Sequence, residues 1–340
     1  MKLVIQIPCF NERDNLASTM ADLPRRIPGI DSIEVMIVDD GSTDGTSEVA
    51  SLAGAHHVLR IKENRGLANA FTAGLEAALR LGADIIVNTD ADNQYRGQDI
   101  PRLVAPILDG RADVVVGDRR TDTIAHFSPV KRLLQRWGSR LVRTASATTV
   151  ADSTSGFRAL TRAAAERLFV HNRFTYTLET LIQAGRAGLV VVNVAITTNP
   201  KTRESRLFRS VPDYLRRAGP VIFRAYAMYR PVQTFAALAM VLVLVGGALV
   251  GRFLYHWLLN PDYSGYTQSL TIGVGCVVLA FLIGIVALLG ELIAANRRLL
   301  EETLRRLRRL ENGLLPGGEA LGRDGYRRTA AAPWKAEDER

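Results

Sequence analysis

The chain has 340 residues, enough for one sizeable core plus a further element, and its 47% hydrophobic content is ordinary for a globular protein. With 43 Lys and Arg against 34 Asp and Glu the formal charge is +9, but the basic residues gather on either side of apolar runs, which fits a membrane surface better than nucleic acid. Two isolated cysteines, Cys9 and Cys276, argue against a disulfide framework or a cysteine zinc cluster.

The first ten residues read as a strand, with no basic n-region and cleavage site, so the front of the chain is expected to stay in the cytoplasm. Apolar or β-branched runs at 3–7, 34–38, 85–88 and 114–116 predict strands. Helical patterns lie between and after them, around 15–23, 46–53, 68–81 and 100–108. This alternation predicts an α/β domain with a mostly parallel sheet and helices on both faces. Ligands bind such sheets at the carboxyl ends of the strands.

Three polar turns sit at those ends. Pro8-Cys9-Phe10-Asn11-Glu12 closes the first strand and Val38-Asp39-Asp40-Gly41-Ser42-Thr43-Asp44 the second. Such turns can hydrogen-bond a base and ribose, with Gly41 letting a backbone approach closely. The bland alternative makes Asn11 or Asp44 a helix cap. Asn88-Thr89-Asp90-Ala91-Asp92-Asn93-Gln94 follows the third strand. Its two carboxylates, one residue apart, can turn toward one hard cation, and Gln94 can add an oxygen. Mg2+ or Mn2+ takes such ligands and shares them with substrate phosphates. The competing reading of Asp90 and Asp92 is a solvated, Asx-capped turn. No Gly-x-Gly-x-x-Gly or Walker A loop occurs, which lowers the dinucleotide and ATPase readings.

Two apolar stretches follow, at 233–258 and 270–293. At about 1.5 Å per residue each can cross a hydrocarbon core about 30 Å thick. Arg252 and His256 lie near one end of the first, where long side chains reach the headgroups. The connector 260–269 lacks Lys and Arg, whereas arginines crowd both outer flanks, from Arg203 to Arg230 and from Arg297 to Arg309. The positive-inside rule then predicts a multi-pass cell-membrane protein with both termini and the first domain in the cytoplasm. A buried helical hairpin in a soluble core is the alternative. The Arg/Tyr/Phe mixture at 211–229 suits an interfacial helix, and the Arg/Glu/Leu run at 296–310 a coiled coil or second interfacial helix. Residues 313–340 have a disorder-prone composition. The expected divisions are 1–210, 211–231, 232–258, 270–293 and 294–340.

Seven pieces in this order carry a resemblance: Pro8 to Glu12, Val38 to Asp44, Asn64-Arg65-Gly66-Leu67, Asp90 to Gln94, Val115-Val116-Gly117-Asp118-Arg119, Asp152-Ser153-Thr154-Ser155-Gly156-Phe157-Arg158, and Arg203-Glu204-Ser205-Arg206-Leu207. The chain resembles family 2 glycosyltransferases, and among them the dolichyl- and polyprenyl-phosphate sugar synthases with two C-terminal transmembrane helices, of the dolichol-phosphate mannose synthase kind. The resemblance implies a glycosyltransferase A-type, Rossmann-like fold. It implies inverting hexosyl transfer, dependent on Mg2+ or Mn2+, from a UDP- or GDP-sugar to a polyprenyl or dolichyl phosphate in the bilayer. In this reading Pro8, Phe10, Glu12, Asp39, Asp40, Asp90, Ala91 and Asp92 hold the nucleotide, and Asp90, Asp92 and Gln94 the metal. Arg119, Ser155, Arg158 and Arg206 face the acceptor phosphate, and Asp92, Arg119, Arg203 and Arg206 carry catalysis.

Two departures from the family pattern stand out. Asn93-Gln94-Tyr95-Arg96 replaces the common Leu-Gln-His-Pro, and Arg206 replaces a lysine. Arginine grips phosphate as a planar fork where lysine acts as a point charge. Glu179 lies where transferases acting on sugar hydroxyls carry a base, and is assigned a positioning role. The alternatives are a transferase acting on a lipid or polysaccharide hydroxyl, and a non-catalytic nucleotide-sugar-binding scaffold. Homo-oligomers through the C-terminal helices are compatible with the sequence; a nucleic-acid partner is not expected.

Overall fold

Strand β1 (Lys2–Cys9) is apolar on both faces because it lies inside the sheet, paired in parallel with β2 (Ser32–Asp39) and β4 (Ile85–Asn88). Its alternate residues divide between two cores. Leu3, Ile5 and Ile7 pack with Leu16 and Met20 of α1 (Arg13–Ala21) and with Leu103 and Val104 of α4 (Ile100–Leu108). Val4 joins Phe71 and Leu75 of α3 (Leu67–Arg80) on the other side. The computed structural model describes residues 1–119, 150, 152–170, 176–199, 231–259, 266–314 and 327–328. Two compact units emerge, Met1–Val211 with Leu304–Arg340, and Pro212–Thr303.

The sheet has eight strands in the order β7-β5-β6-β4-β1-β2-β3-β8. Strands β3 (His57–Arg60), β5 (Val114–Asp118) and β7 (Val191–Ala195) extend the parallel set, and α2 (Thr46–Leu52) joins β2 to β3. Strand β6 (Arg158–Thr161) runs antiparallel between β4 and β5, and the two-residue β8 (Arg327–Arg328) pairs antiparallel with β3. Short helices α5 (Arg162–Ala165) and α6 (Thr177–Arg186) follow β6, and Leu181 of α6 enters the core shared with Phe71. The four expected strands and four expected helices all form, with boundaries within a few residues. Strands β3, β6 and β7 escape the pattern: two are four residues long, and β6 begins on a charged residue.

Helix α7 (Pro231–Leu259) and helix α8 (Thr267–Leu314) contain stretches long and apolar enough to cross a membrane, Phe235–Leu259 and Thr267–Asn296, both within the second unit. Only 6% of the most apolar 18-residue window in the first stretch and 17% of that in the second is buried, so neither is packed inside the described part of this chain. The Arg/Glu/Leu run expected as a separate helix instead continues α8 without a break to Leu314. The segment 211–229, Arg203 and Arg206 lie outside the described residues.

Candidate active site

Two of the turns predicted to hold a nucleotide are laced together at the carboxyl end of the sheet. Asn11, in the left-handed region at φ 53°, donates its backbone N–H to Ser42 Oγ (2.9 Å) and accepts from Thr43 N on Oδ1 (3.0 Å). Glu12 N donates to Thr46 Oγ1 at 3.0 Å. The capping alternative divides: helix α1 starts from Glu12 with no side-chain cap, whereas Asp44 Oδ1 accepts from Thr46 N at the start of α2 (3.0 Å).

Asp39 and Asp40 are both buried and both engaged by their own chain. Asp39 accepts from Ser42 N at 2.8 Å and from the Ser47 hydroxyl. Asp40 takes Arg65 N on one oxygen (2.9 Å) and Gly66 N on the other (2.7 Å), which fixes the Asn64-Arg65-Gly66-Leu67 turn. Burial pushes the Asp40 carboxyl up, against the pull of those two amides. The close approach that requires glycine at position 41 comes from the chain itself: at φ +77° an added Cβ would fall 2.8 Å from Asn64 N. Beside these turns, Pro8 is buried, Glu12 is 7% exposed and Phe10 is 38% exposed, leaving the Phe10 ring as the open apolar surface of this rim.

The acidic turn follows β4. Thr19 Oγ1 holds the Ala91 carbonyl at 3.0 Å, and Gln94 N closes the turn on Asp92 Oδ1 at 3.1 Å. Asn93, at φ 55°, supplies the reversal. Asn199 clamps it from outside, donating Nδ2 to Asn93 O and its backbone N–H to Gln94 O, each at 2.9 Å. Among the described residues the Asp90 carboxylate accepts no hydrogen bond. Burial and then the like charge of Asp92 push it up to about 7, Glu12 adds to the rise, and Arg119 opposes it. A partly buried carboxylate with a second beside it and too little positive charge is a donor set that fits a hard divalent cation. Among the described residues no three His, Cys, Asp or Glu side chains converge, so protein carboxylates alone would not complete such a shell.

The third wall is the loop entering β6. Arg119 grips Asp152 through Nε to Oδ2 (2.6 Å) and Nη2 to Oδ1 (3.0 Å), and Nη2 also reaches Thr154 Oγ1 (2.8 Å). Burial works against the charge on both partners, but the paired hydrogen bonds hold Arg119 above and Asp152 below their usual ranges. Asp152 also caps the Ser153-Thr154-Ser155 turn, accepting from Thr154 Oγ1 at 2.9 Å. Ser155 is fully buried.

Arg158, expected to face a phosphate, points inward instead. It is 1% exposed, and its guanidinium holds Ser155 O (2.9 Å), Thr180 Oγ1 (2.6 Å) and Ser153 O (3.1 Å). Burial lowers it to about 10. Its place as the first residue of an interior strand explains the difference, since the side chain there is sealed between sheet and α6. Glu179, in the first turn of α6, is 6% exposed.

Two residues that sequence reasoning left aside complete the arrangement. Asn88 accepts from Gln6 Nε2 (2.9 Å) and donates Nδ2 to Gly156 O (2.8 Å) and Tyr176 Oη (2.9 Å). Tyr95, 3% exposed, stacks on Phe157 with ring centroids 5.1 Å apart and accepts Gly156 N on its hydroxyl at 3.1 Å. Its position directly after Gln94, where the pattern departs, was the available signal. Gly156 presses against the acidic turn, for an added Cβ would lie 3.0 and 3.3 Å from the two Asp90 oxygens.

Residues 4–169 match glycosyl transferase family 2. The chain is 32% identical over 200 residues to an uncharacterized glycosyltransferase of Mycobacterium tuberculosis, covering 59% of this chain and 86% of that one. It is 29% identical over 207 residues to undecaprenyl-phosphate mannosyltransferase of Micrococcus luteus, covering 58% and 83%. The crystal structure of glucosyl-3-phosphoglycerate synthase from Mycobacterium tuberculosis in complex with phosphoglyceric acid shares the fold, with TM-score 0.50 and 22% identity over 66% of this chain and 79% of that one. That fold is the glycosyltransferase A type, and the chain belongs to glycosyl transferase family 2.

Proposed function

We propose that this protein transfers a sugar, with inversion, from a UDP- or GDP-sugar to a polyprenyl or dolichyl phosphate in the bilayer. The observation that carries the reading is the Asp90/Asp92 pair, one carboxylate without a hydrogen bond among the described residues, with the Arg119 charge acting on it. Asp90 and Asp92, with Gln94, would hold Mg2+ or Mn2+, the remaining ligands coming from diphosphate oxygens and water. A cation bound there supplies positive charge to the departing nucleoside diphosphate.

The other steps belong to the chain's own residues. Phe10 and Glu12 line the nucleoside end, while Asp39 and Asp40 act by bracing the loops around it. Arg119 and the 153–155 turn orient the acceptor, and Arg203 and Arg206 of the basic segment that follows in the sequence are assigned to the same task by their chemistry. A phosphate monoester has its second pKa near 6, so at neutral pH it is already a dianionic nucleophile and needs no strong general base. The nearly sealed Glu179 accords with that and disfavours a hydroxyl acceptor. One in-line displacement inverts the anomeric carbon. The Micrococcus luteus relative, whose name specifies undecaprenyl phosphate, supports a lipid phosphate as acceptor.

Helices α7 and α8 keep the chain in the bilayer from which a polyprenyl tail does not leave. The arginine-rich flanks favour cytoplasmic termini and a cytoplasmic catalytic unit. The test is a thermal-shift panel of UDP- and GDP-sugars with Mn2+, followed by incubation of the best radiolabelled donor with polyprenyl phosphate. Stabilisation by one donor class and a labelled, phosphate-linked glycolipid are expected. Binding without lipid labelling would leave only a sugar-nucleotide scaffold, and labelling of a lipid hydroxyl would overturn the acceptor.

A further inference from the structure

Tyr95 is one of the side chains by which the acidic turn touches the loop that enters β6, beside Asp90 against Gly156 and Asn88 on the Gly156 carbonyl. Its backbone belongs to the turn: it follows Gln94 directly and forms an isolated bridge with Thr198. Its side chain belongs to the loop. The hydroxyl accepts Gly156 N at 3.1 Å, the ring stacks on Phe157 at 5.1 Å with an interplanar angle of 12°, and the Arg119 guanidinium lies 6.0 Å from the ring centroid. Gly156 in turn abuts the Asp90 carboxylate. Losing the Tyr95 hydroxyl would leave Gly156 N buried without that partner while the ring remained packed.

From this geometry we infer that Tyr95 is a positioning residue, which sets the distance between the carboxylates at Asp90 and Asp92 and the Arg119–Asp152 pair on the acceptor side. The inference rests on the proposed function, in which the first group serves the donor and the second the acceptor. Filling the donor side then tightens the acceptor loop through one phenol. With that hydroxyl gone, the donor side still binds but the loop no longer responds.

The experiment uses the full-length protein and Tyr95→Phe, which keeps the ring and its stacking. Amide hydrogen exchange across 152–158 is followed with and without Mn2+ plus UDP or GDP, alongside nucleotide affinity and acceptor kinetics. In the wild type the metal–nucleotide probe slows exchange across the loop by at least fivefold. In Tyr95→Phe the nucleotide Kd stays within twofold, the slowing disappears, and KM for polyprenyl phosphate rises about tenfold. Equal slowing in both proteins would overturn the inference, as would a nucleotide Kd that falls away in parallel with acceptor use, since that marks general loosening. Failure of the wild type to bind any metal–nucleotide probe, or to label lipid phosphate, defeats the proposed function instead and is read before the variant is made.

Discussion

Arg119 and Asp152 form a fork-to-fork pair, Nε to Oδ2 at 2.6 Å and Nη2 to Oδ1 at 3.0 Å, across 33 residues of chain. The pair joins the end of β5 to the loop before β6 and so fixes where that loop stands relative to the sheet. Asp152→Asn keeps the shape but removes the charge and one of the two good acceptors. With the side chains only 22% and 4% exposed, the loss should be about 1–3 kcal/mol. Thermal denaturation reads it as a drop of several degrees, and acceptor KM should rise in the same protein; an unchanged midpoint would refute the bracing role.

Asp92→Ala should abolish transfer and leave the fold standing. The Asp92 side chain accepts the backbone amide of Gln94 within its own turn and sits outside both cores. The melting temperature without metal should shift by no more than about 2 °C, as for a surface change within about 0.5 kcal/mol. The stabilisation by Mn2+ with a sugar nucleotide should vanish. Turnover at the wild-type rate would overturn the site.

Metal affinity should depend on pH because Asp90 titrates high. An ordinary aspartic acid ionises near 4, whereas burial beside Asp92 pushes this one up to about 7. Across that window the folded state keeps a proton that the unfolded chain gives up. Metal-free protein therefore loses stability as pH rises from about 4 to about 7, with no further loss from this group above that. A metal competes with the same proton, so Mn2+ affinity should tighten about tenfold per unit between pH 5.5 and 6.5 and level off above 7.5. Calorimetry at several pH values in EDTA-treated protein checks both limbs. A flat Mn2+ affinity would count against Asp90 as ligand.

Gly156→Ala drives a methyl group to 2.8 Å from Tyr176 Oη and 3.0 Å from an Asp90 oxygen. Tyr176 is held, fully buried and stacked on Phe71 at 3.9 Å, so the loop has to give way. The expected cost is about 1–3 kcal/mol, with weaker Mn2+ binding because Asp90 is one of the proposed metal ligands. Normal stability and Mn2+ affinity would show that the loop has slack.

Truncation before Pro231 removes both apolar helices. A soluble protein that still binds the sugar nucleotide is expected, with transfer to long-chain polyprenyl phosphate in membranes reduced at least tenfold. Full activity of the truncated chain on that acceptor would separate the anchor from the reaction.

The sequence made the strand-end turns readable and the loop before β6 less so, for physical reasons. Turns at the ends of parallel strands carry their chemistry in contiguous runs, and Asp90, Asp92 and Gln94 form one such run directly after β4. Side-chain direction has no such signature. Arg158 has the composition of a phosphate ligand, but its register in an interior strand turns it into the core. Asp39 and Asp40 look like nucleoside ligands until the amides of Ser42, Arg65 and Gly66 are seen to occupy them. Asn88 and Tyr95 look ordinary in one dimension, because their partners Gly156 and Tyr176 lie 61 to 88 residues away. Strand β6 was missed for a similar reason: four residues starting with arginine give too short and too polar a run for periodicity to detect.

That reversed strand has a consequence for how the protein can change. Because β6 runs opposite to β4 and β5, the chain that leaves β5 at Asp118 and the chain that enters β6 at Arg158 stand at the same edge of the sheet. Everything between them is a detour that starts and finishes beside the acidic turn. Its length and sequence can drift without shifting a single strand out of register, provided Arg119 still meets Asp152 at its two ends. Under the proposed function, changes there alter the acceptor side and leave the acidic turn after β4 in place.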